Sequence, residues 1–126
     1  MYEILSTLID MLSLSTQQKY FVFNGNADMR KGFDGLSGLV RNNLGKDPIC
    51  GDVFVFFNRT RTRVKLLCWE QDGYAVYYKR LERGSFEIPS QSSDGTLQIT
   101  SQTLSRILQG IILSSIKRKK RFNSAA

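Results

Sequence analysis

Four basic residues alternate along one short stretch of the chain, at Arg59, Arg61, Arg63 and Lys65. Because alternate residues of a β-strand project to the same face, this spacing predicts a row of positive charges on one side of a strand. Guanidinium groups form bidentate, charge-assisted bonds to phosphate, and Asn58 adds a neutral donor beside them. The pattern therefore predicts a strand that contacts the backbone of DNA.

Two further groups of basic residues belong to the same hypothesis. The following strand and turn carry Lys79, Arg80 and Arg83, which would extend the row into a contiguous basic surface. The second group is a C-terminal run, predicted to form a tail with salt-sensitive affinity for nucleic acid that is independent of sequence: Lys117, Arg118, Lys119, Lys120 and Arg121. The run equally suits the negative end of the preceding helix.

Each of these groups also has a plain structural explanation. A charged strand face can simply be solvated and protect a sheet against edge pairing, so the two interpretations of the arginine row stay open. Arg30, Lys31 and Arg41 form a second anion-binding candidate, although Asp28 as a helix cap and Asp34 as an ion-pair partner would explain them structurally.

Several aromatic residues could stack on nucleic-acid bases or fill the core of a sheet: Trp69, Tyr74, Tyr77 and Tyr78. Adjacent residues of a strand face opposite sides, so one tyrosine of the pair Tyr77 and Tyr78 must point away from the other. The outward one is the candidate for an interaction.

The composition favours one folded domain with an anionic partner. The 126 residues fit a single core, and 18 Lys plus Arg against 11 Asp plus Glu give a net charge of +7. The C-terminal run supplies five of those charges, so the rest of the chain holds only +2 (7 − 5). Its basic residues must be clustered if they are to bind an anion.

Enzymatic activity is not expected. The chain has no histidine, which removes the commonest general base, and its two cysteines, Cys50 and Cys68, lack zinc-site spacing. Cys68 follows two leucines and is predicted to be a buried, inert thiol. The acids that would have to converge for a metal-dependent nuclease are explained by caps and turns: Asp28, Asp34, Asp52 and Glu70. No cofactor or metal is predicted.

The amino-terminal segment and the hydropathy predict a cytoplasmic location. Residues 1–14 are apolar but contain Glu3 and Asp10 and have no basic start, which argues against an export signal. No stretch approaches the roughly 20 apolar residues that a membrane span needs.

The hydrophobic periodicity predicts a single α+β domain over residues 15–116, after a helical extension at 1–14 and before a basic tail at 117–126. Strands are expected at 20–23, 53–57, 62–69 and 74–79, with short ones at 86–88 and 97–99. Helices are expected from Asp28 to Leu44, and from a cap at Thr100 or Ser101 to Ile112. The predicted fold is an antiparallel β-meander of about four to five strands, with both helices on one face.

Several blocks of the chain resemble a known family. They comprise residues 28–36, 51–56, 58–67 and 78–82, followed by Gly84, Phe86 and Pro89. In this order they resemble the accessory protein of insertion sequences of family sixty-six, often called TnpB or the second open reading frame product and unrelated to the RNA-guided nuclease of that name.

The resemblance runs from about Met11 to Ile112 and departs from the family at two places. Residues 1–10 precede the usual start, and Thr60 stands where the family commonly has another arginine. The resemblance implies a role in transposition beside a separate, larger transposase, but it assigns no activity to particular residues.

Three functions follow from these observations. The first is a DNA-binding module of a bacterial insertion sequence that assists the transposase through its basic β-surface. The second is a protein-interaction adaptor that recruits or regulates the transposase without contacting DNA. The third, and least favoured, is a metal-dependent nuclease.

Overall fold

The computed structural model describes residues 18–90, 97–112 and 117–118, and at 111–112 and 117–118 it describes the backbone alone. The predicted helix at 1–14 and the basic residues Lys119, Lys120 and Arg121 lie outside the described residues. No helix in the described ranges is long and apolar enough to span a membrane.

The strands and helices are, in chain order, β1 (Tyr20–Val22), α1 (Phe33–Asn43), β2 (Val53–Phe57), β3 (Arg63–Trp69), β4 (Tyr74–Arg80), β5 (Leu97–Ile99), α2 (Ser101–Gln109), β6 (Ile111–Ile112) and β7 (Lys117–Arg118). The first five strands form one sheet in the order β4-β3-β2-β1-β5, and β6 pairs with β7 separately. The α+β class is therefore confirmed.

The sheet is mixed, so the prediction of a purely antiparallel meander is wrong. Strand β1 runs parallel to β2, with Phe21 opposite Phe54, and antiparallel to β5, with Phe21 opposite Gln98. The reason is the long connection through α1, which crosses the sheet and returns the chain in its original direction. Only β2, β3 and β4 form the predicted meander.

The two helices cover opposite faces of the sheet, which corrects the prediction that they share one face. Leu36 and Val40 of α1 pack with Phe54 of β2, whereas Leu104 of α2 packs with Val55 on the other side. All five residues of β2 are buried. A central strand that is apolar on both faces needs a cover on each side, and this gives three layers.

Helix α1 begins later than predicted, at Phe33. Its N-cap is Gly32, which has no side chain to cap the helix, so the predicted capping role of Asp28 is wrong. Asp28 lies in the preceding turn, where its carboxylate accepts a bond from the backbone N–H of Arg30 at 2.9 Å.

Helix α2 confirms one predicted boundary and corrects the other. The hydroxyl of Thr100 accepts a bond from the backbone N–H of Thr103 at 3.1 Å, as a helix cap does. Gly110 then adopts the left-handed conformation, with φ of 82°, and ends the helix before Ile111–Ile112. Those two isoleucines form β6 instead of a last helical turn.

The short strand predicted at 86–88 does not form. The backbone N–H of Phe86 bonds to the carbonyl of Arg61 at 2.7 Å, and the phenyl ring is buried against Phe57. This segment is instead a cover over the edge of the core on the α2 side.

Candidate nucleic-acid interface

The loop between β2 and β3 is held by the side chain of Asn58. Its carbonyl oxygen accepts bonds from the backbone N–H groups of Thr62 at 2.9 Å and Arg63 at 3.0 Å. Its amide nitrogen donates to the hydroxyls of Thr60 and Thr62, at 3.2 Å each. The neutral side chain of Asn58 therefore fixes the conformation of the loop, and the guanidinium groups of the loop's arginines are not needed for this.

Arg61 occupies the tightest point of the same loop. Its φ of 58° lies in the left-handed region, which residues other than glycine rarely adopt. Its carbonyl accepts the bond from Phe86 that anchors the following segment, while its side chain is exposed. The backbone of Arg61 therefore stabilises this part of the fold, whereas its guanidinium does not.

A shallow cleft of about 430 Å³ lies beside the loop, on the α1 side of the sheet. Three arginines line it, namely Arg30 from the turn before α1, Arg59 from the loop and Arg63 from the start of β3. We call it the arginine cleft; its other lining residues are Ala27, Asp28, Met29, Asn58 and Thr60.

Arg61 lines a second cleft, of about 570 Å³, on the other side of the loop. Its walls also come from residues 22–26, at and after the end of β1, and from Ile88, Pro89 and Ser90. The predicted single row of Arg59, Arg61 and Arg63 is therefore split by the loop. All three still lie at the same end of the sheet.

Arg59, Arg61 and Arg63 form no salt bridge with an acid in the part of the chain that the structure describes. The two salt bridges found there are Arg30 to Asp28, at 2.7 Å, and Arg80 to Glu82, at 2.8 Å. The hydrogen bonds from Arg30 hold the pKa of Asp28 at about 2. The cleft keeps a positive excess because Arg59 and Arg63 outnumber its single acid.

Lys65 is buried, so the prediction that it belongs to an exposed basic row is wrong. Only 9% of the surface of this residue is exposed. The ammonium donates to the backbone carbonyls of Met29 at 2.7 Å and Lys31 at 2.8 Å, and lies 4.7 Å from the centre of the Tyr78 ring. Lys65 shares a sheet face with Arg63, but that face is covered at its position by the turn before α1.

The basic residues after β3 also fail to lie together on one face of the sheet. Arg80 lies opposite Arg63 in the β3–β4 register and therefore on the same face, where it bonds to Glu82. Lys79 lies on the other face, and its ammonium donates to the carbonyl of Leu108 near the end of α2 at 2.9 Å. Arg83 is exposed in the turn after β4. The predicted contiguous surface is narrower because strand alternation sends Lys79 to the α2 side.

The C-terminal basic run is described only in part. The backbones of Lys117 and Arg118 pair with Ile112 and Ile111, directly after α2. The bond from Lys79 fixes the end of α2 at the same end of the sheet as the arginine cleft. Affinity of this run for nucleic acid stays a prediction.

Tyr78 is the outward member of the tyrosine pair. The residue is 47% exposed, and its hydroxyl lies 3.4 Å from a guanidinium nitrogen of Arg63. Tyr77 packs against the core on the α2 side, and Trp69 contacts Tyr74 edge to face at 4.9 Å. The sequence could not say which of the two tyrosines faced outward.

The acids considered for a nuclease do not converge. Asp28 lies beyond the end of β2, and Asp52 lies just before its start, where the carboxylate accepts bonds from the backbone N–H of Lys19 and the thiol of Cys50. No group of three potential metal ligands occurs in the described ranges. Cys68 is buried as predicted, and burial raises the pKa of its thiol to about 11.

Two residues of the interface carried only a weak sequence signal. Arg30 was a candidate as part of a helix N-terminus, yet it enters the cleft from a turn. Asn58 was predicted as a donor to phosphate, yet its amide is committed to the loop. An asparagine at the start of a short connection is typical of such side-chain to backbone turns.

Fold and site together define a three-layer α+β protein with an arginine cluster at one end of its sheet. The family of IS66 Orf2-like proteins matches residues 18–118, and the chain belongs to this family. The resemblance found in the sequence is thereby confirmed.

Two proteins of Sinorhizobium fredii (strain NBRC 101917 / NGR234) are similar to the chain. The uncharacterized protein y4jC is 33% identical over 109 residues, covering 86% of this chain and 92% of the relative. The uncharacterized protein y4hO is 34% identical over 101 residues, covering 80% and 87%. No solved structure matches the chain.

Proposed function

We propose that this chain is a transposition accessory protein that binds DNA through the arginine end of its sheet and thereby assists a separate transposase. Membership of the IS66 Orf2-like family supports the accessory role. The observation that carries DNA binding is a set of three arginines without an acidic partner in the described residues: Arg59 and Arg61 in the β2–β3 loop and Arg63 at the start of β3.

Phosphate contact is the chemistry that this arrangement suits. A guanidinium presents a planar fork of donors that matches two phosphate oxygens. The cleft is shallow and open, so it suits a backbone that lies across it better than a small molecule enclosed within it. Contacts of this kind position DNA without reading its sequence.

A gel-shift titration across salt, with and without the transposase, tests the proposal. The chain alone is expected to shift DNA, and the shift should weaken steeply as salt rises. The triple variant Arg59→Ala, Arg61→Gly, Arg63→Ala should lose binding while keeping the unfolding midpoint of the wild type or a higher one. Glycine is chosen at 61 because it adopts the positive φ without strain.

The adaptor hypothesis is the second candidate, and the exposed apolar side chains of Phe33 and Ile49 favour it. It predicts that the chain alone shifts no DNA at any salt concentration. It also predicts co-purification with the transposase that survives nuclease treatment and is unchanged in the triple variant. That pair of results would replace DNA binding with protein recruitment.

A further inference from the structure

An aromatic ring lies on the edge strand β4 at the basic end of the α1 face. Tyr78 of β4 stands opposite Lys65 in the register, and Arg80 stands opposite Arg63, so all four share one face. The Tyr78 hydroxyl contacts Arg63, which also lines the arginine cleft. The ring and the cleft are therefore one continuous surface joined by Arg63.

The ring is held in place from its inner side. The buried ammonium of Lys65 lies over it at 4.7 Å and is itself fixed by the carbonyls of Met29 and Lys31. Tyr78 is nevertheless 47% exposed, so the ring is held by a cation and stays partly open to solvent. A ring that is held in place and partly open is what a base needs for stacking.

Duplex DNA cannot use such a ring. Its bases stack on one another, and a protein reaches only their edges in the grooves or inserts a protruding wedge. Tyr78 lies on the edge strand β4, where Arg63 and Lys65 of β3 contact it from one side, so it is not a free wedge. A strand whose bases are unpaired offers free π-faces, while its phosphates can still contact arginine.

We propose that the arginine cleft and Tyr78 bind single-stranded DNA, with phosphates on Arg59 and Arg63 and one base stacked on Tyr78. This inference rests on the proposed DNA-binding function and adds the class of DNA that is preferred. Lys65 is a positioning residue in it, because it orders the ring and the turn that carries Arg30 without contacting DNA.

The test compares a labelled single strand of about 12 nucleotides, within the range that small binding folds cover, with its own duplex by fluorescence anisotropy. The wild type should prefer the single strand. Tyr78→Ala should weaken single-strand binding about ten-fold, as expected for the loss of one stacked base, and change duplex binding less than about two-fold. Tyr78→Phe should bind like the wild type.

A second strand with abasic residues in its centre separates stacking from packing. The wild type should bind it about ten-fold more weakly than the normal strand, whereas Tyr78→Ala should not distinguish the two. Tyr78→Leu, which keeps an apolar cover over Lys65, should behave like the alanine variant. Ile49→Ala removes another exposed apolar side chain and should change nothing.

Three outcomes are informative. Equal single-strand affinity in the wild type and Tyr78→Ala would overturn the inference and leave the proposed function intact. Equal losses on single strand and duplex would also overturn it, because they would indicate a general disturbance of the surface. Absence of binding to either DNA by the wild type would overturn the proposed function itself.

Discussion

The two ends of the five-stranded sheet use charged residues in different ways. At the acidic end, where β2 begins and β3 ends, carboxylates form the turns: Asp47 accepts a bond from the backbone N–H of Ile49, and Asp52 accepts one from Lys19. At the arginine end, where β2 ends and β3 begins, the neutral amide of Asn58 does the corresponding work. The charges of Arg59 and Arg63 are therefore not needed to hold this turn.

The difference shows why net charge is a poor guide to a binding surface. A charged side chain that already stabilises a turn or a helix end has lost part of its hydration and has a partner. If it binds a ligand instead, the protein loses that stabilising interaction. Lys65 and Lys79 are cations of this kind, since both donate to backbone carbonyls. Arg59 and Arg61 can exchange water for phosphate without breaking a described side-chain contact, and Arg63 gives up only its 3.4 Å bond to the Tyr78 hydroxyl.

Substitution of the buried cation at the arginine end should cost the most stability. Lys65→Met removes both charge-assisted bonds and leaves the carbonyls of Met29 and Lys31 without that donor. We expect the free energy of unfolding to fall by about 3 kcal/mol. Urea denaturation measures this directly.

Lys46→Met is the matched control. Its ammonium lies 4.0 Å from the centre of the Phe21 ring, and its loss should cost less than about 1 kcal/mol. Equal losses in the two variants would show that Lys65 is not the organising cation of its face.

A smaller effect compares two strained positions, one at each end. Arg61 and Gln71 are the described residues other than glycine with positive φ, at 58° and 62°. Each glycine variant should be about 1 kcal/mol more stable than the alanine variant at the same position, because glycine tolerates this conformation. Thermal unfolding measures both differences.

Only Arg61→Gly should also weaken DNA binding, since Gln71 lies at the other end of β3 and carries no charge. A loss of affinity in Gln71→Gly that matches the loss in Arg61→Gly would remove the distinction between the two ends.

The smallest effect concerns the one acid in the arginine cleft. Asp28→Asn releases Arg30 and removes a negative charge beside the proposed path of the phosphates, so DNA affinity should rise by about three-fold. Anisotropy at low salt measures the rise, and a loss of affinity would mean that the Asp28–Arg30 pair orders the cleft instead of opposing DNA.

The same pair predicts a dependence on pH. The pKa of Asp28 is lowered from 3.8 to about 2, so its ion pair stabilises the fold above pH 3.8 and this contribution is lost as pH falls through about 2. The stability difference between wild type and Asp28→Asn should therefore shrink over that interval.

Much of the fold could be predicted because the local signals were strong. The apolar run of β2 and the alternating residues of β3 and β4 set those strands to within a residue or two. The direction of β1 could not be predicted, because a three-residue strand pairs either way and its partner is set by the crossover of α1. Both faces of β2 are apolar, which indicates that each face is covered by another layer. The predicted arrangement, with both helices on one face, did not take this into account.

The site was predicted at the level of the loop but not of each side chain. Alternation correctly put Arg63 and Lys65 on one face, yet burial of Lys65 depends on the turn before α1, which is distant in sequence. The alternation did not extend to Arg59 and Arg61, because β3 begins only at Arg63. The salt bridge between Arg80 and Glu82 similarly depends on the path of the chain after β4.

We expect DNA affinity to depend on where the cations lie and not on how many there are. Two double variants remove the same charge from opposite parts of the molecule: Arg59→Ala with Arg63→Ala at the arginine end, and Lys19→Ala with Arg41→Ala, from the acidic end and the last turn of α1. The measurement is the slope of the logarithm of DNA affinity against the logarithm of salt concentration. The first variant should have a slope shallower by about 1.4 to 1.8, the loss of two phosphate contacts, while the second keeps the wild-type slope. Equal changes of slope in the two variants would contradict the account.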